Sequence, residues 1–219
     1  MNSEASLQAL LDAISSRNAQ TALTLADADP RLLGQRSAAG LSPLSLAAYM
    51  DQAELVAALR ARREPDLFEA LIVGDAEVVD RELAAGQDVN QLAPDGFTML
   101  GLAVFFRHGA LALRLLDAGA DVDARADNAQ RVAALHAAVA RGDAAMVVTL
   151  LARGATVDLP QQQGVTPLHA AAGAGRADLV KLLREAGANP ALKDEAGRDA
   201  AEHARQHGHT ALAEALLRS

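Results

Sequence analysis

The hydrophobic residues of this chain recur at helical spacing in short segments that are separated by polar turns. The segment DLVKLLREA, which begins at Asp178, places its Leu and Val residues on one face, as in an amphipathic helix. Gly187 follows it, and a glycine at that point is typical of a helix end. Upstream, Thr166 and Pro167 predict a helix start, because threonine caps a first turn and proline fits the first helical position. The pattern predicts two antiparallel helices that are separated by a turn at Gly175.

The same pattern repeats with a period of 33 residues. His136 and His169 are 33 positions apart, each within the sequence Leu-His-Ala-Ala. Gly164 and Gly197 are also 33 positions apart. Self-similarity at such a period indicates a stack of structural repeats. Seven helix pairs fit the chain, so we predict an all-α fold with turn-rich fingers between the pairs. The predicted units of this single domain, 1–219, are about 5–39 (N-terminal cap), 40–65, 66–95, 96–130, 131–163, 164–196 and 197–219 (C-terminal cap).

The unit that begins at Gly164 resembles the ankyrin repeat at nearly every position. The matching residues are Thr166-Pro167-Leu168-His169, Ala171-Ala172, Gly175, Leu182-Leu183 and Gly187-Ala188. The resemblance covers almost the whole chain and implies a solenoid of paired antiparallel helices with β-turn or hairpin fingers. The fourth unit departs from the pattern, since Met99 and Gly101 replace its Pro and His and Arg107 stands at its Gly position. At 62–65 one helix pair runs into the next with no room for a finger.

Composition supports this interpretation and argues against several functions. Apolar residues make up 51% of the 219 residues but aromatic residues only 2%, so we expect a core of Ala, Leu and Val. A net charge of −8 argues against a nucleic-acid partner, because such partners need Lys and Arg to neutralise phosphates. No apolar run reaches the roughly 18 residues of a membrane span, and the start of the chain, with an early Glu4, lacks the features of a secretory signal. We predict a cytoplasmic protein, and heavy use of Ala, Arg and Leu hints at a bacterial genome.

The sequence contains no recognisable catalytic constellation. It has no cysteine, and its glycines fall at helix ends and turns rather than in a phosphate-binding loop. His203 and His207 are spaced i, i+4 and would share one helix face, a spacing that can hold a zinc ion. A solvated capping helix is the better interpretation. We therefore expect no enzyme, no cofactor and no metal, and keep a metal site at these histidines as a minor alternative.

The expected site of function is a surface, because a repeat array encloses no pocket between its units. The ankyrin resemblance implies a protein–protein interaction scaffold, adaptor or regulator that holds a partner protein in a concave groove. It places the contacts on the fingers and near the end of each first helix, four and five residues after the His position. The partner-binding residues predicted in this way are Tyr49, Met50, Ile72, Val73, Phe97, Phe105, Phe106 and Arg141.

That set contains four of the five aromatic residues of the chain, which favours a role as binding anchors. The alternative is that the rings fill gaps between irregular units. Phe105 in particular is expected to lie over Gly101, because helix side chains lean toward the preceding turn. Local positive charge is expected nearby, from Arg107, Arg125, Arg131 and Arg141, and would suit an acidic or amphipathic partner segment. We expect a monomer, with self-association through Ala-rich faces or open ends as the competing interpretation.

Overall fold

A computed structural model describes residues 3–218, with only the backbone described at Ser3. The predicted terminal stretches therefore extend outside the described residues by Met1, Asn2 and Ser219. Residues 3–218 contain fourteen α-helices and no β-strand, which confirms the all-α prediction. The chain divides into two compact units. Unit 1 comprises residues 3–88 and 93–96, and unit 2 comprises residues 89–92 and the chain from residue 97 onward.

Unit 1 contains three consecutive helix pairs. Its helices are α1 (Ser3–Ser15), α2 (Ala19–Ala28), α3 (Pro43–Tyr49), α4 (Ala53–Arg60), α5 (Leu67–Val73) and α6 (Ala76–Ala84), with a 3-10 turn at Pro30–Gly34. Leu10 and Ile14 of α1 are fully buried in a cluster with residues of α2 and α4. The turn at 93–96 approaches Gly40 closely, since a Cβ there would lie 2.1 Å from the Pro94 carbonyl oxygen. Only glycine fits this contact.

Unit 2 contains four helix pairs. Its helices are α7 (Met99–Phe105), α8 (Gly109–Asp117), α9 (Ala134–Arg141), α10 (Ala144–Ala152), α11 (Pro167–Gly173), α12 (Ala177–Glu185), α13 (Ala200–Gln206) and α14 (Thr210–Arg218). The first helices of successive pairs, α7, α9, α11 and α13, pack side by side. Successive fingers are also joined, because the Gln162 amide donates to the Gln130 carbonyl at 3.0 Å and the Glu195 amide to the Gln163 carbonyl at 2.9 Å.

The Thr-Pro-Leu-His sequence starts α11 as predicted. The Thr166 hydroxyl accepts the His169 amide at 3.4 Å, and His169 Nδ1 accepts the Thr166 amide at 3.1 Å. Because Nδ1 is an acceptor, the proton lies on Nε2, which donates to the Leu192 carbonyl of the next finger at 3.0 Å. The helix start and the stacking of neighbouring repeats therefore depend on the same side chain.

Aliphatic side chains form the core of each unit, as the composition predicts. The buried apolar residues are Leu, Ala and Val with a few Ile and Met, and no Phe or Tyr is among the buried residues of the described chain. The aromatic side chains are half-buried instead. Large apolar surface is therefore removed from water by many small and medium side chains packed between helices.

Glu69 compensates for the missing finger between α4 and α5. It occupies the position of the repeat's histidine, its side chain is 0% exposed, and it accepts the Asp66 amide at 3.0 Å. The Ser42 hydroxyl, which belongs to the cap of α3, donates to Glu69 at 2.6 Å. Arg63, from the shortened link, completes the site with an ion pair. A carboxylate at the histidine position thus joins α5 to the preceding repeat, whereas His169 joins α11 to the finger that follows it.

Replacing Glu69 with alanine should lower the free energy of unfolding by about 3 kcal/mol, because it leaves Arg63 and the Ser42 hydroxyl without their buried partner. Urea unfolding followed by circular dichroism measures this loss. Glu64→Ala is the matched control, since it removes an exposed pair with Arg81 and should leave the unfolding midpoint unchanged. Equal effects of the two substitutions would contradict the assignment.

Candidate functional site

Tyr49 and Met50, at the end of α3, are tied into unit 1. The Tyr49 hydroxyl donates to Asp95 Oδ2 at 3.0 Å, which joins the helix end to the turn at 93–96. Burial and the negative charge of Asp95 raise the pKa of Tyr49, so the phenol remains a neutral donor. Met50 packs against the core cluster, and its carbonyl accepts a bond from Arg17 at 2.9 Å. Both side chains retain partial exposure at this helix end.

The expectation of an exposed Ile72 is not met. Ile72 is 5% exposed, whereas Val73 is half-buried. The sequence of α5, LFEALIV, is apolar on nearly every side, and a short helix of that kind buries most of its circumference. Ile72 therefore belongs to the packed interior of unit 1.

Phe97, Phe105 and Phe106 lie near the two ends of α7 in unit 2. Phe97 precedes Thr98, the capping residue of α7, while Phe105 ends the helix and Phe106 follows it. The Phe105 and Phe106 rings form an edge-to-face pair with centroids 5.3 Å apart and an interplanar angle of 80°. All three rings are half-buried, so part of each remains at the surface.

Phe105 does not lie over Gly101 as expected. A Cβ built on Gly101 would meet the Thr98 side chain at 2.8 Å, and no side-chain atom of Phe105 lies within 4 Å of that point. The Thr98 hydroxyl accepts the Gly101 amide at 3.0 Å and occupies the available room. The Phe105 ring packs instead against Phe106 and beneath Arg141, whose guanidinium carbon is 5.0 Å from the ring centroid.

Arginines from neighbouring repeats meet at the end of α9. Arg107 donates from Nη2 to the Arg141 carbonyl, and Arg176 donates to the Gly142 carbonyl at 3.2 Å. Arg176 is also held by two bonds to Asp178, at 2.7 and 3.0 Å. The predicted positive region therefore includes Arg107 and Arg141, and it gains Arg176, which the sequence did not identify as a site residue. In the 33-residue repeat, Arg176 occupies the position equivalent to Asp143. No local pattern in the sequence shows that its side chain reaches back to Gly142 of the preceding repeat.

The two histidines of the minor metal alternative do not point to a common ligand position. His203 Nε2 is 2.9 Å from Asp194 Oδ2, and His207 Nδ1 is 2.9 Å from the His203 carbonyl oxygen. His203 is buried rather than solvent-exposed. Across the residues with described side chains, no group of three or more His, Cys, Asp or Glu is placed to hold a metal ion.

Asp194 joins the sixth and seventh helix pairs. Its side chain is 0% exposed and accepts bonds from Arg198 at 2.8 Å and from His203. The hydrogen bond from Arg198, more than any other contact, holds the pKa of Asp194 well below its usual value. The rings of His203 and His169 lie 4.9 Å apart, and burial, followed by the nearby His203, lowers the pKa of His169. This network is structural, since it connects the finger to the helices on either side.

Within residues 3–218 no helix is both long and apolar enough to cross a bilayer. Helix pairs that stack through their first helices and are joined by interlocking fingers define a helical-repeat protein. A family model described as "Ankyrin repeats (3 copies)" matches residues 67–160 and 135–219, so the chain belongs to the ankyrin repeat family. No match was found among curated proteins.

Family membership sets the general class of function. Ankyrin repeats generally mediate protein–protein interaction, and the family is generally non-enzymatic. The surface formed by Phe105, Phe106, Arg107 and Arg141 is consistent with that class, because it combines aromatic and guanidinium groups.

Buried histidines should make stability depend on pH. Burial, more than the nearby charge of Arg125, lowers the pKa of His136 to about 4. In the unfolded chain this group titrates near 6.5, so the unfolded state binds more protons between those values. The free energy of unfolding should therefore fall as pH drops from 6.5 toward 4, by at most about 1.4 kcal/mol per pH unit for this residue. His169 should add a contribution of the same sign.

Thermal unfolding at pH 7.5 and 5.0 checks this expectation. Wild-type protein should lose stability on acidification, and His136→Gln, which removes the titrating ring, should lose less. The Asp194 contribution does not interfere, because a lowered carboxyl pKa affects stability only below about 3.8. A pH slope that is the same in wild-type and His136→Gln protein would contradict the role assigned to His136.

Proposed function

We propose that the chain is a non-catalytic adaptor or regulator that binds a partner protein through the surface at the ends of α7 and α9 in unit 2. This surface, called the α7–α9 surface below, consists of Phe105, Phe106, Arg107 and Arg141. The observation that carries the proposal is the pair of half-buried rings beside an arginine stacked on Phe105 at 5.0 Å. A cytoplasmic location and a bacterial origin remain predictions from the sequence.

The residue types at this surface favour binding. Aromatic and arginine side chains are enriched at interface hot spots, where a few residues account for most of the binding free energy. The core of this protein is built without Phe or Tyr in its described residues, so a phenylalanine pair at a helix end is not needed to complete that kind of packing. Phe97, half-buried before α7, is proposed as a further contact on the finger side. Tyr49, Met50 and Val73 are proposed as secondary contacts on unit 1.

Phe106→Glu should leave the melting temperature nearly unchanged and weaken partner binding at least tenfold, because it places a charge where a partner would bury an aromatic ring. Proteins captured from native lysate by wild-type bait and lost with Phe106→Glu bait identify candidate partners, whose affinities are then measured with purified protein. Ala145→Glu, an exposed position on α10, is the matched control and should bind like wild type.

Two results would contradict the proposed surface. One is unfolding of both Phe106→Glu and the milder Phe106→Ser, which would make the ring part of the packing. The other is a partner whose affinity is unaffected by Phe106→Glu and whose footprint in hydrogen exchange lies elsewhere on the chain.

Self-association is the second candidate, and one observation favours it. Leu113 on α8 and Val148 on α10 stand at the same position of neighbouring repeats and are 40% and 50% exposed. In α12 the same position holds an exposed charged residue, Lys181. We nevertheless expect a monomer, because two exposed aliphatic side chains provide much less area than the roughly 1,200 Å² of a stable interface.

Light scattering over a hundredfold range of concentration separates the two candidates. A constant monomer mass supports the partner-binding proposal. A mass that rises with concentration, and returns to the monomer value in Val148→Glu protein, would support self-association through α8 and α10 instead.

A further inference from the structure

The end of α9 gathers guanidinium groups from three successive repeats. Arg107 reaches the Arg141 carbonyl from one neighbour, and Arg176 reaches the Gly142 carbonyl from the other. The Arg176 side chain fills the space beside Gly142 so closely that a Cβ there would lie 1.9 Å from its Nη1. The Arg141 guanidinium lies on the Phe105 ring at 5.0 Å. A concentrated positive region results within a chain of net charge −8.

Arg107 and Arg141 belong to a minority of arginines without a carboxylate partner, which within residues 3–218 also includes Arg17, Arg125, Arg131 and Arg205. Most of the other arginines bind acidic side chains, for example Arg62 at 2.7 Å and Arg153 at 2.8 Å. In the described part of the chain, Asp178 is the acidic partner of Arg176, and no carboxylate pairs with Arg107 or Arg141. Both side chains are exposed. Their charges are therefore available to an anion from outside the chain.

Helix capping alone does not account for these groups. A cation near a helix C-terminus is favourable, and Arg107 does contact the last carbonyl of α9. That contact uses one of the five N–H donors of a guanidinium, and the cation–π contact of Arg141 uses the flat face rather than the N–H edge. The remaining donors match the geometry of a carboxylate, which guanidinium binds with two parallel hydrogen bonds.

The backbone at Arg107 adds a second argument. Its φ of 64° is a left-handed conformation that favours glycine, and the equivalent position is glycine at Gly74, Gly142 and Gly175. A long charged residue in this conformation is strained by roughly 1–2 kcal/mol per residue, which the single carbonyl bond offsets only in part. Backbone strain of this kind clusters at functional sites, and Arg17, with a φ of 57°, shares this conformation at the end of another helix.

We propose that the α7–α9 surface binds an acidic segment of the partner protein, with Arg107 and Arg141 as carboxylate-binding residues. This inference rests on the proposed function and adds the chemistry of its partner. Acidic side chains of the segment bond to the two guanidinium groups, and an adjacent apolar side chain packs on Phe106. Arg176, which is already paired with Asp178, supports the positive field and holds the helix end in place.

A random twelve-residue peptide library displayed on phage, selected against the full-length wild-type chain, tests the proposal. Enriched peptides should carry Asp or Glu next to an apolar residue. The most enriched peptide is synthesised with a fluorophore, and its Kd is measured by fluorescence anisotropy. Arg107→Gly and Arg141→Gln should each weaken binding about tenfold, and added NaCl should weaken wild-type binding more than binding to either variant.

The two variants are chosen so that folding is preserved. Arg107→Gly places the residue that suits its positive φ, so its melting temperature should not fall by more than a few degrees. Arg218→Gln is the charge-matched control, because it removes an exposed arginine of α14 that is paired with Glu214. It should leave the Kd unchanged.

The outcomes of the selection distinguish this inference from the proposed function. Acidic peptides that lose affinity in Arg107→Gly and Arg141→Gln but not in Arg218→Gln support the inference. Peptides that require Phe106 but carry no acidic residue, and bind both arginine variants normally, would overturn it and leave the proposed function standing. A selection with no enrichment over empty support, or peptides unaffected by Phe106→Glu, would count against the proposed function and this inference together.

Discussion

In α5 and α11 a buried polar side chain three residues after the helix cap bonds to a neighbouring repeat or finger. In α11 this residue is His169, which accepts the Thr166 amide through Nδ1 and donates to the Leu192 carbonyl through Nε2. A buried polar group without a partner costs about 1–3 kcal/mol, so burial of the ring is favourable only when the following finger is in register. The apolar stacking drives assembly, and this hydrogen bonding fixes which arrangement is adopted.

The same constraint is met by different chemistry where the repeat is irregular. Glu69 replaces the imidazole in unit 1 and bonds to the Ser42 hydroxyl of the preceding repeat and to Arg63 of the shortened link. In the last unit the buried histidine stands one residue later in the helix, and His203 reaches Asp194 instead of a carbonyl oxygen. Gly101 has no side chain to offer, and the Thr98 hydroxyl alone caps α7. The chemistry at this position therefore varies along the chain, and at Gly101 it is absent.

Local features of the sequence predicted the helices, but contacts between repeats were harder to predict. Thr166, Pro167 and Gly175 act within their own turn, so the helix pairs and the family could be recognised from them. The sequence correctly placed His203 on a helix, but His207 caps the end of that helix, and His203 is buried because Asp194 of the preceding finger binds it. Burial of Ile72 likewise depends on what packs around α5, which a single repeat does not specify. The candidate residues of α7 and α9 were named from the sequence, whereas their mutual contacts required the structure.

The ends of the first helices show how a repeat protein accommodates bulky surface residues without disturbing its stack. Arg17 and Arg107 both occupy left-handed positions that suit glycine, and each donates to a carbonyl at the end of the next first helix. The favourable interaction of a cation with that helix end offsets part of the backbone strain. Because this compensation lies outside the aliphatic core, residues at the helix ends can change without altering core volume. Surface chemistry at α7 and α9 is therefore free to differ between repeats while the packing beneath it stays the same.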